Sequence, residues 1–466
     1  MYREKEMKMF KFLLPVAVAV CGFGVSQAAQ DGFATEKEAR QRDFEALRDY
    51  IKTKRAISVK DKGGNLMISG DIRTEYYFMH ARNRHTSQRG WASRKLYPNS
   101  YINKVVPKIS HREYKHKTYK ERVAYRIGRS QIKPPYQTSE FDLEANLIFD
   151  YIGDRGWGTA QMQMQNPMGL IENERKALIN DSRKIMYGSG KNDKFTLRKA
   201  FAGYNVWEEG TSRFDLEIGR RRFYDVFDSD VQFYSYFDGL LARFSNSFEG
   251  VTDLSFKAAA FVVDQTVNHW GYVGELGLLN LGDSGFDLKY SLIHWDKHSA
   301  NRFGQRHPLG VQFINSQFLA GYTVSPDVVS MKTYIYGAFL TNHDAKRTHL
   351  THGKKANDAW YVGVKLGEVL RKGDYALGFG YQWVQAQAVP ERDVSGIYRD
   401  NPRGISFYNR KSGGFANFRG WRVEGIYALT DNWTLNSHFD RVRELDDHIG
   451  GKHRSYEFYL AAIFAF

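Results

Sequence analysis

Chemistry concentrates in one short stretch. Arg220, Arg221 and Arg222 are followed within a few residues by Asp225, Asp228 and Asp230. Guanidinium groups and carboxylates at this spacing include no nucleophile with a placed base, so the set can act only through its electric field. If the two signs line opposite walls of a narrow passage, the transverse field orders water and sorts small polar solutes. On an open surface the same residues would form an ordinary salt-bridge cluster, worth only ~0–1 kcal/mol per pair. The rest of the chain has no Gly-rich phosphate loop, no His-Glu-x-x-His and no nucleophile elbow. His343, His349 and His352 lie near Asp344, but their irregular spacing in a polar stretch reads as exposed histidine and not as a metal site. Cys21 is the only cysteine, which leaves the mature chain no disulfide or thiol chemistry. These features point to no enzyme, no metal and no cofactor.

The elements that must position the charged stretch are strands. At the C-terminus Tyr456, Phe458, Leu460, Ala462, Phe464 and Phe466 form one alternating apolar series, opened on the other face by Ser455 and Glu457. Near the start of the pattern Leu66, Ile68, Ile72, Tyr76 and Phe78 alternate with Ser69, Asp71, Arg73 and Glu75. From Asp374 to Val384, Tyr375, Leu377, Phe379, Tyr381 and Trp383 face one way while Ala376, Gly378, Gly380 and Gln382 face the other. A single strand of this kind fits a soluble sandwich equally well, with its apolar face turned inward. Number and spacing decide between the two. About sixteen such segments can be marked, and tight turns such as 153–156, 208–210, 248–250, 282–285, 325–327, 371–374 and 430–432 alternate with longer links. An even count with a short, long, short rhythm is that of a transmembrane antiparallel β-barrel, with periplasmic turns on one rim and extracellular loops on the other. The expected fold is therefore all-β, a barrel over residues 65–466, in which 221–237 is a long loop and a candidate constriction.

Composition agrees with strands and excludes helical spans. Aromatics make up 15% of the chain, yet the mean hydropathy is −0.54, and no apolar run in the body approaches the ~20 residues a spanning helix needs. Lys5, Lys8 and Lys11 precede the apolar run 12–20, and Ser26-Gln27-Ala28 supplies small residues, so 1–28 reads as a signal peptide. The start codon is open between Met1, Met7 and Met9. Residues 29–64 form an expected periplasmic segment with a helix over 35–52, capped by Thr35 and Glu38 and striped by Phe44, Leu47 and Ile51. That stripe leaves pairing with a second copy, a homo-oligomer, open. Between 81 and 138 fifteen lysines and arginines stand against two glutamates, a net +13 of the chain's formal +15. A basic, tyrosine-rich stretch invites a nucleic-acid reading, but an exported chain has little occasion to meet one. Outer-leaflet lipid and lipopolysaccharide are the more suitable partners for this loop.

The run from Gly219-Arg220 to Phe237-Asp238-Gly239-Leu240 resembles the strand, loop and return of Gram-negative outer-membrane porins of the alginate-export-like group, and it is also similar to porin-like proteins of chlamydiae. The resemblance implies passive diffusion of small hydrophilic solutes, anionic or sugar-like, with no energy source. It also implies that the barrel assembly machinery reads the terminal Phe466. A polyanion channel would need a basic lumen, for which Arg73, Lys199, Lys257, Lys289, Lys332, Lys365 and Arg422 are candidates beside the lumen-facing acids Asp71 and Glu75. Arg198 has the opposite parity from Lys199, so at most one of the two is expected inside. Lys199 is the choice, because Ala200, Ala202, Tyr204 and Val206 make the other face apolar. The basic insertion 81–138 departs from the family pattern. It supports an alternative reading, a surface adhesin or structural protein that binds polyanions through that loop.

Overall fold

A computed structural model describes residues 57–61, 64–84, 89–93, 122–126, 136–167, 195–264, 269–295, 313–325, 329–347, 351, 353–390, 393–397, 416–446 and 452–466. The signal peptide expected over 1–28, the helix expected over 35–52, His349 and His352 lie outside them.

Sixteen strands follow one another along the chain: β1 (Gly64–Arg84), β2 (Tyr136–Ile152), β3 (Gly156–Pro167), β4 (Phe195–Glu209), β5 (Ser212–Arg222), β6 (Tyr236–Phe248), β7 (Thr252–Asp264), β8 (His269–Leu279), β9 (Phe286–Trp295), β10 (Ile314–Val324), β11 (Thr333–Asn342), β12 (Asp358–Gly367), β13 (Tyr375–Val384), β14 (Phe418–Ala428), β15 (Trp433–Glu444) and β16 (Lys452–Ala465). Each pairs antiparallel with the next. β16 returns to pair with β1, from Lys452 opposite Arg84 to Ala465 opposite Asp71, so the sheet is a closed sixteen-stranded barrel. A short seventeenth strand, Ile57–Asp61, pairs with 64–68 of β1 below the point where β16 stops. Between them, the Phe466 N–H donates to the Gly70 carbonyl and the Gly70 N–H to the Phe466 carbonyl, both at 2.9 Å. One edge of β1 is thus occupied along nearly its whole length, by two different segments.

Which face points where settles the choice between sandwich and barrel. The apolar members of each alternation, Ile218, Leu240, Phe318, Val362 and Phe379 among them, are exposed, while Asp71, Glu75, Glu144, Asn146, Glu275 and Lys289 are buried on the other face. An inside-out distribution of this kind is the arrangement of a barrel that meets lipid outside and polar groups inside. Among the described residues no helix is long and apolar enough to cross a membrane.

The rhythm of connections holds with one exception, since the link 265–268 is shorter than the turns 280–285, 325–332 and 368–374 on the other rim. Short turns fill 153–155, 210–211, 249–251, 280–285, 325–332, 368–374 and 429–432, while the opposite rim carries the links 85–135, 168–194, 223–235, 265–268, 296–313, 343–357, 385–417 and 445–451. The basic insertion is narrower than 81–138, because β1 runs on to Arg84 and β2 begins at Tyr136. Strand ends follow the partner across the ladder and not the end of hydrophobic alternation: β16 holds Arg84, and β1 holds Tyr136. Within the insertion Arg89–Ser93 and Arg122–Arg126 pair as a small separate sheet.

On the inner wall, tyrosine rings lie across glycines of the neighbouring strand. A Cβ at Gly321 would stand 1.9 Å from the Tyr334 hydroxyl, and one at Gly363 would stand 2.2 Å from that of Tyr336. Pairs of this kind fill the space above a glycine with the ring of the next strand. Gly363→Ala must push Tyr336 off its seat, and overpacking of that kind costs about 1–3 kcal/mol. The variant is expected to lose its heat-modifiable electrophoretic mobility at a lower temperature than the parent. An unchanged transition would show that the ring is not held against the sheet.

Candidate pore constriction

The link 223–235 folds back inside the barrel, and two different surfaces hold it there. Its apolar side chains Phe223, Val226, Phe227 and Phe233 are buried against Phe237, Leu241, Ala259, Phe261, Val273 and Ile293 of β6–β9. The ring of Phe223 stands edge-on to Phe261, with centroids 4.8 Å apart, and 4.9 Å from Phe237. The inner wall is apolar where this loop rests on it, a departure from simple alternation of apolar outside and polar inside. Further along, Val231 joins Tyr334, Tyr336, Tyr361, Val384 and Phe418 in a second buried cluster, which also takes in Ala388, Val389, Val394 and Ile397 from the link 385–397.

The polar groups of the loop are matched one by one to the wall. Lys199 on β4 lies 2.8 Å from Asp225. Lys257 on β7 donates to the Val226 carbonyl at 2.7 Å and lies 3.3 Å from Glu275, whose other oxygen accepts the Asp228 N–H at 2.9 Å. Lys289 on β9 pairs with the Asp228 carboxylate, both fully buried, while Gln317 donates to the Asp228 carbonyl at 2.5 Å. The Tyr336 hydroxyl donates to Asp230 at 3.2 Å, and Gln382 donates to the Asp230 carbonyl at 3.2 Å. The loop therefore runs along the inner wall from β4 to β13, each strand offering a partner suited to the residue above it.

A second loop locks the first in place. One carboxylate, Asp393, accepts the Phe233 N–H at 3.1 Å, the Ser235 N–H at 3.2 Å and the Ser235 hydroxyl at 2.6 Å. Ser395 adds its N–H to the Val231 carbonyl and its hydroxyl to the Gln232 carbonyl, at 3.1 and 3.0 Å. Burial alone would raise the Asp225 carboxyl, but Lys199, Arg222 and Arg221 outweigh it and hold it below the ordinary aspartate range.

The sequence-predicted residues divide accordingly. Asp225, Asp228 and Asp230 come together inside the barrel, each facing the wall. The three arginines do not form one opposing row, because consecutive strand residues alternate faces. Arg220 pairs with Asp238 at 2.7 Å on the outward face, with both side chains well exposed, so it is no lumen residue. Arg221 turns inward to pair with Glu217 and stacks 4.1 Å over Phe201. Arg222 donates to the Tyr236 hydroxyl at 2.6 Å and lies over the Tyr224 and Tyr236 rings. Of the wall candidates, Asp71, Arg73, Glu75, Lys199, Lys257, Lys289, Lys365 and Arg422 all sit on inward positions. Lys332 does not. It lies in the turn before β11, half-exposed and 2.9 Å from Glu368 of the next turn, because β11 begins at Thr333 and not near 328, where the alternation suggests. Parity also fails at Arg198. A β-bulge sets Gln161 opposite Lys199 and Met162 opposite Leu197, leaving Arg198 as the extra residue. It donates to the inner-wall Gln163 and to the Tyr236 hydroxyl, so Arg198 and Lys199 both find partners inside the barrel, the latter on the loop, which strict alternation forbids.

Other residues had no sequence signal. Asp393, Glu275 and Gln317 are spread over distant strands and links, and only the closed sheet brings them to the loop, while Glu217 holds Arg221 and Arg243 beside it. The same holds for His438, Asp440 and Glu457, whose ligand-type atoms lie within 4.8 Å of one another on β15 and β16. Arg422 already engages Asp440 there, at 2.6 Å. The Gly219 to Gly239 motif has a local explanation. The two glycines face each other across β5 and β6, and a Cβ on them would stand 2.2 Å from the Ala200 carbonyl and 2.1 Å from the Ala260 carbonyl, respectively; Gly219 also has φ of 136°. No side chain fits at either position where the strands hand over to the inward loop.

No family model matches the sequence, and no curated protein matches it significantly. Among solved structures the chain is similar to OmpF of Salmonella typhi in complex with daunomycin, at 12% identity and a TM-score of 0.45, covering 88% of this chain and 100% of that one. It is also similar to Pseudomonas putida OprB, at 11% identity and a TM-score of 0.42 over 85% and 94% of the two chains. A Rhodopseudomonas blastica porin mutant aligns at 9% identity and a TM-score of 0.38 over 86% and 100%.

Two outcomes follow from the seating of the loop. Lys289→Met leaves the buried Asp228 carboxylate without its cation and should cost about 3–5 kcal/mol, whereas the double variant Lys289→Met with Asp228→Asn should recover most of that loss. Thermal unfolding of both variants measures it. Because the folded Asp225 carboxyl titrates below its ordinary value of 3.8, its contribution is complete above that value and is lost as pH falls further, through the folded value. Pepsin should begin to cut at Phe223, Phe227 and Phe233 only in that acid range, and cleavage that set in well above it would show that this pair does not seat the loop.

Proposed function

We propose that the protein is a bacterial outer-membrane channel for passive diffusion of small hydrophilic solutes. One observation carries the reading: a closed sixteen-stranded sheet that is apolar outside and polar inside, with a link folded into its interior between the two rims. Barrels of about sixteen strands enclose a water-filled lumen, and an inward loop narrows such a lumen without spanning it. The partners this implies are outer-membrane lipid and lipopolysaccharide at the apolar band, and assembly machinery that reads the seam where Phe466 meets Gly70. Sugar-like solutes suit the polar wall and the tyrosine rings. A preference for anions has less support, since it rested on counting basic residues, and Lys199, Lys257, Lys289 and Arg422 are each held by a carboxylate.

The purified, refolded protein should produce stepwise ohmic conductance in planar bilayers. Asp393→Ala, which strips three donors of their common acceptor at about 1–3 kcal/mol of loop seating, should make single-channel currents larger or noisier. Conductance no different from bare lipid would overturn the reading.

A further inference from the structure

Three consecutive arginines end β5, and they are not compensated alike. Arg220 is held by Asp238 and Arg221 by Glu217, so the first two charges are answered by carboxylates. Arg222 has no carboxylate at salt-bridge distance among the described residues. Its Nε donates to the Tyr236 hydroxyl at 2.6 Å, and its Cζ stands 4.9 Å from the centroid of the Tyr224 ring and 5.0 Å from that of Tyr236. Asp225 feels the charge of Arg222 but is itself paired with Lys199, at 2.8 Å.

A second cation meets it there. Arg198, the extra residue of the bulge on β4, gives its Nε to the side-chain oxygen of Gln163 and its Nη1 to the same Tyr236 hydroxyl, at 2.8 Å. It too has no carboxylate at salt-bridge distance among the described residues. Two guanidinium groups from different strands thus converge on one phenol oxygen. Both lone pairs of that oxygen are then taken, and its own proton has no acceptor among the described residues. The same is true of Nη2 of Arg198 and of both Nη atoms of Arg222. All three side chains are partly exposed, at the rim of the long links, where β5 ends and β6 begins.

Like charges held this close repel one another, and the donors around them are left to solvent. A phosphate group answers both conditions. Its charge removes the repulsion, and its oxygens accept from the planar forks of two arginines and from the phenol. A sugar hydroxyl would bring acceptors without the charge, and chloride the charge at a single centre.

We infer that Arg198, Arg222 and Tyr236 form a binding site for a phosphate group, carried either by a small phosphorylated solute or by the headgroup of lipopolysaccharide. The inference stands apart from the channel reading, since it concerns three side chains at the rim and not conduction.

The test is calorimetric titration of the full-length protein in a neutral detergent, freed of lipopolysaccharide, at a constant ionic strength set with KCl. One arm adds inorganic phosphate; the other adds micelles carrying lipid A or dephosphorylated lipid A. Saturable binding of inorganic phosphate assigns the ligand to a solute, and binding of lipid A alone, lost on dephosphorylation, assigns it to the headgroup. Either result supports the site, provided that Arg198→Gln and Arg222→Gln each weaken binding on the order of tenfold. Arg220→Gln should leave it unchanged, because that charge is already paired with Asp238. In the unmodified protein sulfate, of the same shape, should displace phosphate while chloride at equal ionic strength does not, a measurement that stands even if the variants fail to fold. No saturable binding in either arm, displacement by chloride as effective as by sulfate, or undiminished binding in the double variant Arg198→Gln with Arg222→Gln would overturn the proposal.

Discussion

Everything in this structure depends on one constraint: backbone N–H and C=O groups that face lipid have no water to bond, so a sheet in a membrane must leave no open edge. Closure is complete at the seam, where β16 covers the upper part of β1, the terminal residue bridges to Gly70 and a short strand covers the remainder. Once the sheet is closed, the period-2 alternation of side chains assigns the strand residues to the outer or the inner face except where a bulge interrupts it. The assignment is unforgiving, since a one-residue slip would turn Asp71, Arg73 and Glu75 toward the apolar face.

A closed polar cylinder creates a second problem, which is how to bring a loop inside without stranding its polar groups. Here apolar contacts supply the bulk of the seating and a set of charge pairs fixes its position. Buried pairs such as Asp228 with Lys289 are weak sources of net stability, because desolvation offsets most of their attraction, yet breaking one is costly. Their effect is therefore to specify one register of the loop against the wall. Asp393 extends the same logic to a second link, holding two backbone N–H groups and a hydroxyl with one carboxylate.

This seating changes what the charged residues do. Charges that on paper could line a passage are engaged in holding the loop, among them Lys199 with Asp225 and Lys289 with Asp228. Counting basic residues in the sequence overstates the free positive charge inside the barrel, because the count cannot tell which cations are already neutralised and which face away. Arg220 illustrates the second case, since it belongs to the most charged stretch of the chain and yet pairs with Asp238 on the outer surface.

The sequence by itself determined the class of fold, the strand inventory, the short and long connections and the inward position of most wall candidates, because each rests on local alternation and turn chemistry that a strand carries wherever it sits. Only the tertiary structure decided how the loop charges pair, which of three consecutive arginines turns inward, that a bulge lets both Arg198 and Lys199 find partners inside the barrel, and that Lys332 belongs to a turn. Those outcomes depend on contacts between residues far apart in the chain, such as Asp393 with Ser235 or Lys289 with Asp228, and on where a neighbouring strand stops. Such contacts exist only once the barrel has closed, and nothing in the spacing of residues along a single strand encodes them.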